Sequence, residues 1–458
     1  MKKNKKYFFR ISAVTAVIFL LFLGIRFYRE SRGPQRVVLI TLDALRPDHL
    51  GCYGYPVNTS PNIDAFAKEG AVFTNAFAHA SFTAPALASL MTSRYPSSDG
   101  VFDFGDKIPE GIETLTSLLK KNNFATGFFS SHPGLATIKG FDQDFDDFYT
   151  IWTFSDNKKV TAKAVDINPR IIKWLDGHKR KKFFVWIHYL EPHYPLVPAA
   201  KYRELIASPL PGRKPVEVPI SADHLYGFGG IPGRLAAAHD NRTDLNFYLE
   251  LYDASIRYAD SQVGEVLGYL RKLGLYDNSL IILSADHAES LGEHGQYFSH
   301  GFLLYDELLR VPLVIKAARE GSWGEKVQAL ARHIDIAATI VDFLGIPQPK
   351  SMIGESLLPG LKNGFDHNNS RSFSALSPDA AAIRADGWKL IYDHRKGYEL
   401  YDLQVDPGEL NNLVLVDREK FELLKNELDL LRKGAPRAEK EPLTIQEKEQ
   451  LRSLGYAQ

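Results

Sequence analysis

A single cysteine, Cys52, stands in 458 residues, which excludes an internal disulfide and a thiolate zinc cluster. That scarcity fits a cell-envelope protein that avoids stray thiols. An excess of either charge is also lacking. With 55 Lys and Arg against 55 Asp and Glu, no net field points to nucleic acid, and none is expected as a partner. No internal repeat or low-complexity tract stands out. What is there is 45% hydrophobic and 12% aromatic, the composition of an ordered globular protein. The length allows a large catalytic domain with a smaller appendage.

Lys2, Lys3, Lys5, Lys6 and Arg10 precede a largely apolar run over 11–25, and Arg26, Arg29 and Arg32 follow it. A bilayer requires about 20 apolar residues. Tyr7, Phe8 and Phe9 extend the run if Arg10 snorkels to the interface. No small-x-small cleavage site follows. Residues 1–33 therefore read as an uncleaved membrane anchor and linker, with a cleaved signal segment as the alternative. The heavier positive charge before the run puts the N-terminus in the cytoplasm. The expected location is the cell membrane, with one N-terminal span and an extracytoplasmic catalytic domain.

Three largely apolar runs, 36–42, 182–188 and 280–285, read as buried parallel strands. The first delivers Asp43 at its carboxyl end; the third delivers Asp286 and His287. Amphipathic stretches over 60–69, 112–122, 169–178 and 249–273 alternate with them. The pattern predicts an α/β domain over 34–350, a large mainly parallel sheet flanked by helices. Alternating runs over 382–392 and 397–403, then a helix over 418–433, predict a smaller α+β subdomain over 351–458 with an antiparallel sheet. Open sheets bind ligands beyond the carboxyl ends of their strands. The Pro- and Gly-rich stretch 195–233 reads as an irregular excursion or lid over that site.

Asp43, Thr83, Asp286 and His287 each follow a strand or open a helix. Two carboxylates, an imidazole and a hydroxyl suit one divalent cation. The imidazole favours manganese or zinc, with magnesium possible, over calcium, which prefers an all-oxygen set. A cation beside the Thr83 oxygen would lower its hydroxyl pKa. A helix N-terminus there also offers N–H groups to an anion.

Leu39-Ile-Thr-Leu-Asp-Ala-Leu-Arg-Pro-Asp-His-Leu-Gly-Cys-Tyr-Gly-Tyr55 resembles the opening metal strand of the sulfatase family, within the alkaline phosphatase superfamily. Ser81-Phe-Thr-Ala-Pro-Ala-Leu-Ala-Ser-Leu-Met-Thr-Ser-Arg-Tyr-Pro96 resembles its signature segment. His188-Tyr-Leu-Glu-Pro-His-Tyr-Pro195 and Ser284-Ala-Asp-His-Ala-Glu-Ser-Leu-Gly-Glu-His-Gly295 are similar to its substrate-histidine and second metal segments, in the same order. The resemblance implies an alkaline-phosphatase-like fold and a metal-dependent ester hydrolase. It also implies that Thr83 occupies the position of the residue that sulfatases oxidise to formylglycine. Threonine cannot become that aldehyde. Ala44 stands where the family has a second acid, Ala86 and Leu87 replace its Ser-Arg pair, and His300 lies near its sulfate-binding lysine position.

These departures favour phosphoester or phosphodiester cleavage or transfer through Thr83, in the manner of related membrane-anchored phosphotransferases. A sulfuric ester hydrolase without formylglycine is the second reading, and an inactive family member binding an envelope glycan the third. By carry-over, His193, His294 and His300 bind the transferred group or protonate the leaving alcohol, and Arg46 is an anion clamp. The expected substrate is a phosphorylated or sulfated envelope glycan, lipid or small ester. His49, His79 and His132 are expected to be structural or exposed, and His188 to be a strand histidine open to either role.

Overall fold

The computed structural model describes residues 35–150, 152–155, 158–161, 163–206, 214–223, 226–317, 325–365, 371–432 and 439–453. The expected membrane anchor at 1–33 lies outside the described residues. Among the described residues no helix is long and apolar enough to cross a membrane.

Among the described residues, sixteen strands build the fold. They are β1 (Arg36–Leu42), β2 (Ala71–Phe77), β3 (Ala125–Ser130), β4 (Asp147–Thr150), β5 (Trp152–Ser155), β6 (Lys158–Thr161), β7 (Phe183–Tyr189) and β8 (Ser279–Ala285). They continue with β9 (Ser290–Leu291), β10 (Tyr297–Ser299), β11 (Arg310–Lys316), β12 (Lys326–Arg332), β13 (Arg371–Ser377), β14 (Ala380–Ala385), β15 (Trp388–Asp393) and β16 (Gly397–Asp402). Eight form one sheet in the order β12-β2-β11-β8-β1-β7-β3-β4. Only β11 runs against its neighbours, so the sheet is mainly parallel. Strands β1, β7 and β8 are buried throughout, as unbroken apolar runs covered on both faces must be.

The helix Leu245–Lys272 begins where Asp244 accepts the Asn246 N–H at 3.0 Å, and it turns Leu251, Val263, Val266 and Leu270 into the core. The helix expected from Pro169 instead spans Ala164–His178, with Pro169 inside it. Asp166 accepts the Lys163 N–H at 2.8 Å, a reciprocal cap that a lysine before the helix does not advertise. Strand β3 escaped the sequence reading because Gly127 interrupts its apolar run. Trp174 explains that glycine, since a Cβ on residue 127 would meet its ring at 2.9 Å.

The excursion after β7 lies partly outside the described residues. Its described part leans on β10, with the Tyr297 N–H donating to Gly227 O at 2.9 Å and the Gly229 N–H to Gly295 O at 2.8 Å. Strands β13–β16 form a four-stranded antiparallel sheet covered by the helix Arg418–Arg432. This second sheet is joined to the first by charge. Asp306, just before β11, pairs with Arg384 of β14 and at 2.7 Å with Lys389 of β15, and Lys389 also reaches Glu409 at 2.8 Å. Lys389 and Glu409 are buried.

The helix Thr83–Thr92 is buried along its whole length. At its far end the Thr92 hydroxyl lies 3.1 Å from Asp99, which also accepts the Val101 N–H at 3.0 Å. Burial pushes the Asp99 carboxyl up to about 7. Because the folded value exceeds the unfolded value near 3.9, the fold binds this proton more tightly, and stability falls as pH rises from about 4 to 7. The loss is on the order of 4 kcal/mol above pH 7. Asp99→Asn should therefore melt higher than the native protein at pH 8, with the gap closing near pH 4.5. A gap of constant size across that range would refute the placement of the proton on Asp99.

Candidate active site

The register of the sheet assembles the site. Leu42 of β1 pairs with Ala285 of β8 in parallel, so the next residues, Asp43 and Asp286, emerge side by side at the carboxyl edge. On the other flank Thr41 pairs with His188 of β7, and His188 pairs with Ser130 at the end of β3, which His132 soon follows. All of these side chains are buried. Ala44 turns away from the edge in the left-handed region at φ 58°, and its N–H donates to Asp286 Oδ1 at 3.1 Å. A non-glycine residue held there stores strain that the surrounding contacts sustain.

Among the described residues, Asp43, Asp286 and His287 offer ligand atoms all within 4.8 Å of one another. Asp43 Oδ1 and Oδ2 and Asp286 Oδ2 are buried without a hydrogen-bond partner. Burial, and then the charge of Asp286, push the Asp43 carboxyl well above its ordinary range. Two of the neighbouring imidazoles do not supply the missing positive charge. His132 Nε2 and His188 Nε2 stand 3.5 and 3.7 Å from Asp43 Oδ2, but burial holds both rings neutral, His188 at about 4. Two buried carboxylates with unsatisfied oxygens beside the His287 imidazole fit a divalent cation.

Thr83 opens its helix, with Phe82 extended before it, and its Oγ1 lies 3.1 Å from His287 Nε2. His287 Nδ1 meets the Ala288 carbonyl at 2.9 Å. A carbonyl only accepts, so Nδ1 carries a proton and Nε2 is the nitrogen turned to Thr83 and the carboxylates. His300 packs on His287 at 4.2 Å between ring centroids, and His193 packs on His300 at 5.0 Å. His193 donates Nδ1–H to Tyr194 O at 2.7 Å, which leaves its Nε2 as an acceptor.

Asp43, Thr83, Asp286, His287, His193 and His300 are thus brought together. Two other candidates are placed elsewhere. His294 binds Glu307 at 2.9 Å and Glu409 O at 3.1 Å through its two nitrogens and stacks on Tyr305 at 3.5 Å. With both ring nitrogens engaged, it pins the 292–295 loop to the C-terminal sheet instead of facing the metal cluster. Arg46 spends four N–H bonds on Asp48, Glu293 and the Glu289 carbonyl, so it anchors the loop after β1 instead of clamping an anion.

Three residues at the site, His132, Glu289 and Arg234, were not identified from the sequence, and His188 was left open to either role. His132, expected to be structural or exposed, stands beside Asp43, and His188 faces the same carboxylate. Glu289 approaches His300 Nδ1 at 3.2 Å, and burial pushes its carboxyl up to about 8. Arg234, in the short helix Gly233–Ala237 that ends the excursion, lies over the Tyr194 ring at 4.4 Å, and its charge acts on His193, His300 and Glu289. The alternation of strand and loop carries a signal for His132, had β3 been recognised. Nothing local marks Arg234.

A mainly parallel sheet with a carboxylate–histidine cluster at its carboxyl edge defines an alkaline-phosphatase-like hydrolase. The chain belongs to the sulfatase family, whose profile matches residues 35–346, while the profile of the N-sulphoglucosamine sulphohydrolase C-terminal region matches residues 292–433. It is 25% identical over 466 residues to the N-acetylglucosamine-6-O-sulfatase of Bacteroides thetaiotaomicron, covering 84% of this chain and 83% of the relative. The fold matches that of a protein solved with its substrate D-glucosamine-2-N,6-O-disulfate (TM-score 0.71, 22% identity, 89% of this chain and 100% of the other). It also matches the phosphonate monoester hydrolase of Agrobacterium radiobacter (TM-score 0.70, 21% identity, 88% and 96% coverage).

The cluster makes a direct demand. Manganese or zinc at a hundredfold excess over Kd should stabilise the native protein by about 2.7 kcal/mol. Asp43→Asn should lose that gain, yet melt higher than the native protein without metal, because it removes one of two facing buried charges. A metal-induced rise in Tm that survives in Asp43→Asn would rule out this cluster as the binding site.

Proposed function

We propose that this hydrolase acts on phosphate esters, cleaving or transferring them through a covalent phosphothreonine at Thr83. The observation that carries this reading is a hydroxyl at the start of a buried helix, 3.1 Å from His287 and beside the Asp43–Asp286 pair. Asp43, Asp286, His287 and Thr83 would hold one divalent ion, manganese, zinc or magnesium before calcium. Such an ion supplies positive charge that lowers the pKa of a nearby hydroxyl and offsets charge on the transferring group.

The chain's own residues account for the remaining roles. Arg234, His193 and His300 line the approach and orient the phosphoryl oxygens, and the first N–H groups of the Thr83 helix face the same anion. Thr83 Oγ1, its proton released to solvent as the hydroxyl ionises, bonds to phosphorus as the bond to the leaving alcohol breaks. The Glu289–His300 pair, with a carboxyl raised to about 8, retains a proton at neutral pH for the departing oxygen. Water or a second alcohol then attacks the phosphothreonine and restores the hydroxyl. Burial keeps His193 neutral, which suits it to accept the proton of that incoming group.

A second reading, hydrolysis of a sulfate ester by the same hydroxyl without formylglycine, is favoured by the activity named for the Bacteroides relative. In either case the expected substrate is an envelope ester, reached from a membrane tether formed by residues 1–33.

Three assays separate these readings. With manganese or zinc present, Thr83→Ala should lower kcat/KM on a phosphodiester by about a thousandfold or more, while Thr83→Ser keeps measurable turnover. Full activity in Thr83→Ala would exclude the nucleophile. Faster turnover of an aryl sulfate than of any phosphoester would transfer the assignment to sulfur. Arg234→Ala should lower kcat/KM about a hundredfold and leave the metal-induced rise in Tm unchanged; a lost rise would make Arg234 a support of the metal site instead.

A further inference from the structure

His193 is a wall shared by the reaction site and a second cavity of about 290 Å³. That cavity is framed by the segment following β7, the start of the helix Ala164–His178 and the middle of the helix Leu245–Lys272. Its lining is mostly apolar. Val165 and Val197, at its mouth, are 48% and 45% exposed, where a loop facing only water would gain nothing from valine.

The polar groups in its wall, two lysines included, already have partners: Lys163 Nζ donates to Val197 O at 3.4 Å, and Lys201 Nζ lies over the Tyr202 ring at 4.8 Å. The Tyr258 hydroxyl accepts the Val165 N–H at 2.9 Å, and the Tyr202 hydroxyl is 2.9 Å from Ser261 Oγ. Ser255 Oγ donates to Leu251 O at 2.9 Å, and Gln262 Oε1 lies 3.2 Å from Asn168 Nδ2. A sugar placed here would have to give up water around its hydroxyls for few new hydrogen bonds. An aliphatic chain would lose nothing and gain burial. The exception is Glu191. Its Oε1 accepts the Ala164 N–H at 3.3 Å, and its Oε2 is buried without a partner.

We propose that this cavity takes the aliphatic part of an amphiphilic ester whose charged head lies at Thr83, with Glu191 meeting one hydrogen-bond donor on that chain. The inference rests on Thr83 and its neighbours being the reaction centre, and it narrows the substrate to an ester of an apolar alcohol. Both sources of such an ester, a membrane lipid and a free single-chain compound, present the same chain to this wall.

The test is calorimetric binding of two homologous series, n-alkyl phosphates and n-alkyl sulfates from ethyl to hexyl, to the full-length, metal-supplemented protein. Affinity should rise about fourfold per added methylene in at least one series, the value that burying a methylene carries. Val165→Asp and Val197→Asp, at exposed positions outside the reaction site, should flatten that slope and leave ethyl-ester affinity within about twofold. Glu191→Leu should keep the slope and abolish any preference for a hydroxylated hexyl chain. Flat affinities in both series, or a slope that both aspartate variants leave intact, would overturn the cavity assignment. A slope confined to the sulfates would uphold the cavity and overturn the phosphoester reading instead.

Discussion

Two carboxylates that repel each other govern this molecule. Parallel pairing of β1 with β8 leaves Asp43 and Asp286 no choice but to emerge together, inside the protein and away from water. Such a pair costs several kcal/mol unless positive charge compensates it. The His132 and His188 imidazoles beside it are held neutral by the same burial and cannot serve. The rest of the site follows from that deficit. Ala44 accepts a strained backbone to give Asp286 an N–H, His287 turns its Nε2 inward, and the hydroxyl of Thr83 is brought to the same point. An arrangement that is poor for stability by itself becomes a reason to hold a cation.

Legibility from sequence tracked how local each cause was. The apolar runs of β1, β7 and β8 declared themselves, and with them Asp43, Asp286 and His287, because strand and chemistry lie in the same few residues. The antiparallel C-terminal sheet was readable from its alternation for the same reason, although its first strand was not. His132 was lost along with β3, whose Gly127 answers to a tryptophan 47 positions away in sequence. Arg46 and His294 looked catalytic because they sit in catalytic-looking segments. Arg46 is held by Asp48 two residues on and by the distant Glu293, His294 by the distant Glu307 and Glu409, and those partners decide where the charge goes.

The altered signature has a structural counterpart. Leu87, which the sequence reading set against the family's signature arginine, is fully buried within the helix Thr83–Thr92 and packs as core. Positive charge near the site comes instead from Arg234, on a segment that reaches over from after β7 and rests on Tyr194. A charge held there is positioned by how that excursion packs on β10, at the close approach of Gly227 to the Tyr297 backbone.

The ionic joint between the two sheets bears on the history of the chain. Asp306 lies directly before β11, a strand of the main sheet, and its counter-charges Arg384 and Lys389 are supplied from the second sheet. Removing Asp306 would leave the buried Lys389 ammonium with Glu409 as its remaining counter-charge, a destabilising change. Genetic recombination that exchanged the C-terminal portion for an unrelated one would leave the main sheet with an unbalanced anion next to its only antiparallel strand. The two sheets should therefore be inherited as one unit, with any shuffling confined to donors that carry the same pair of cations.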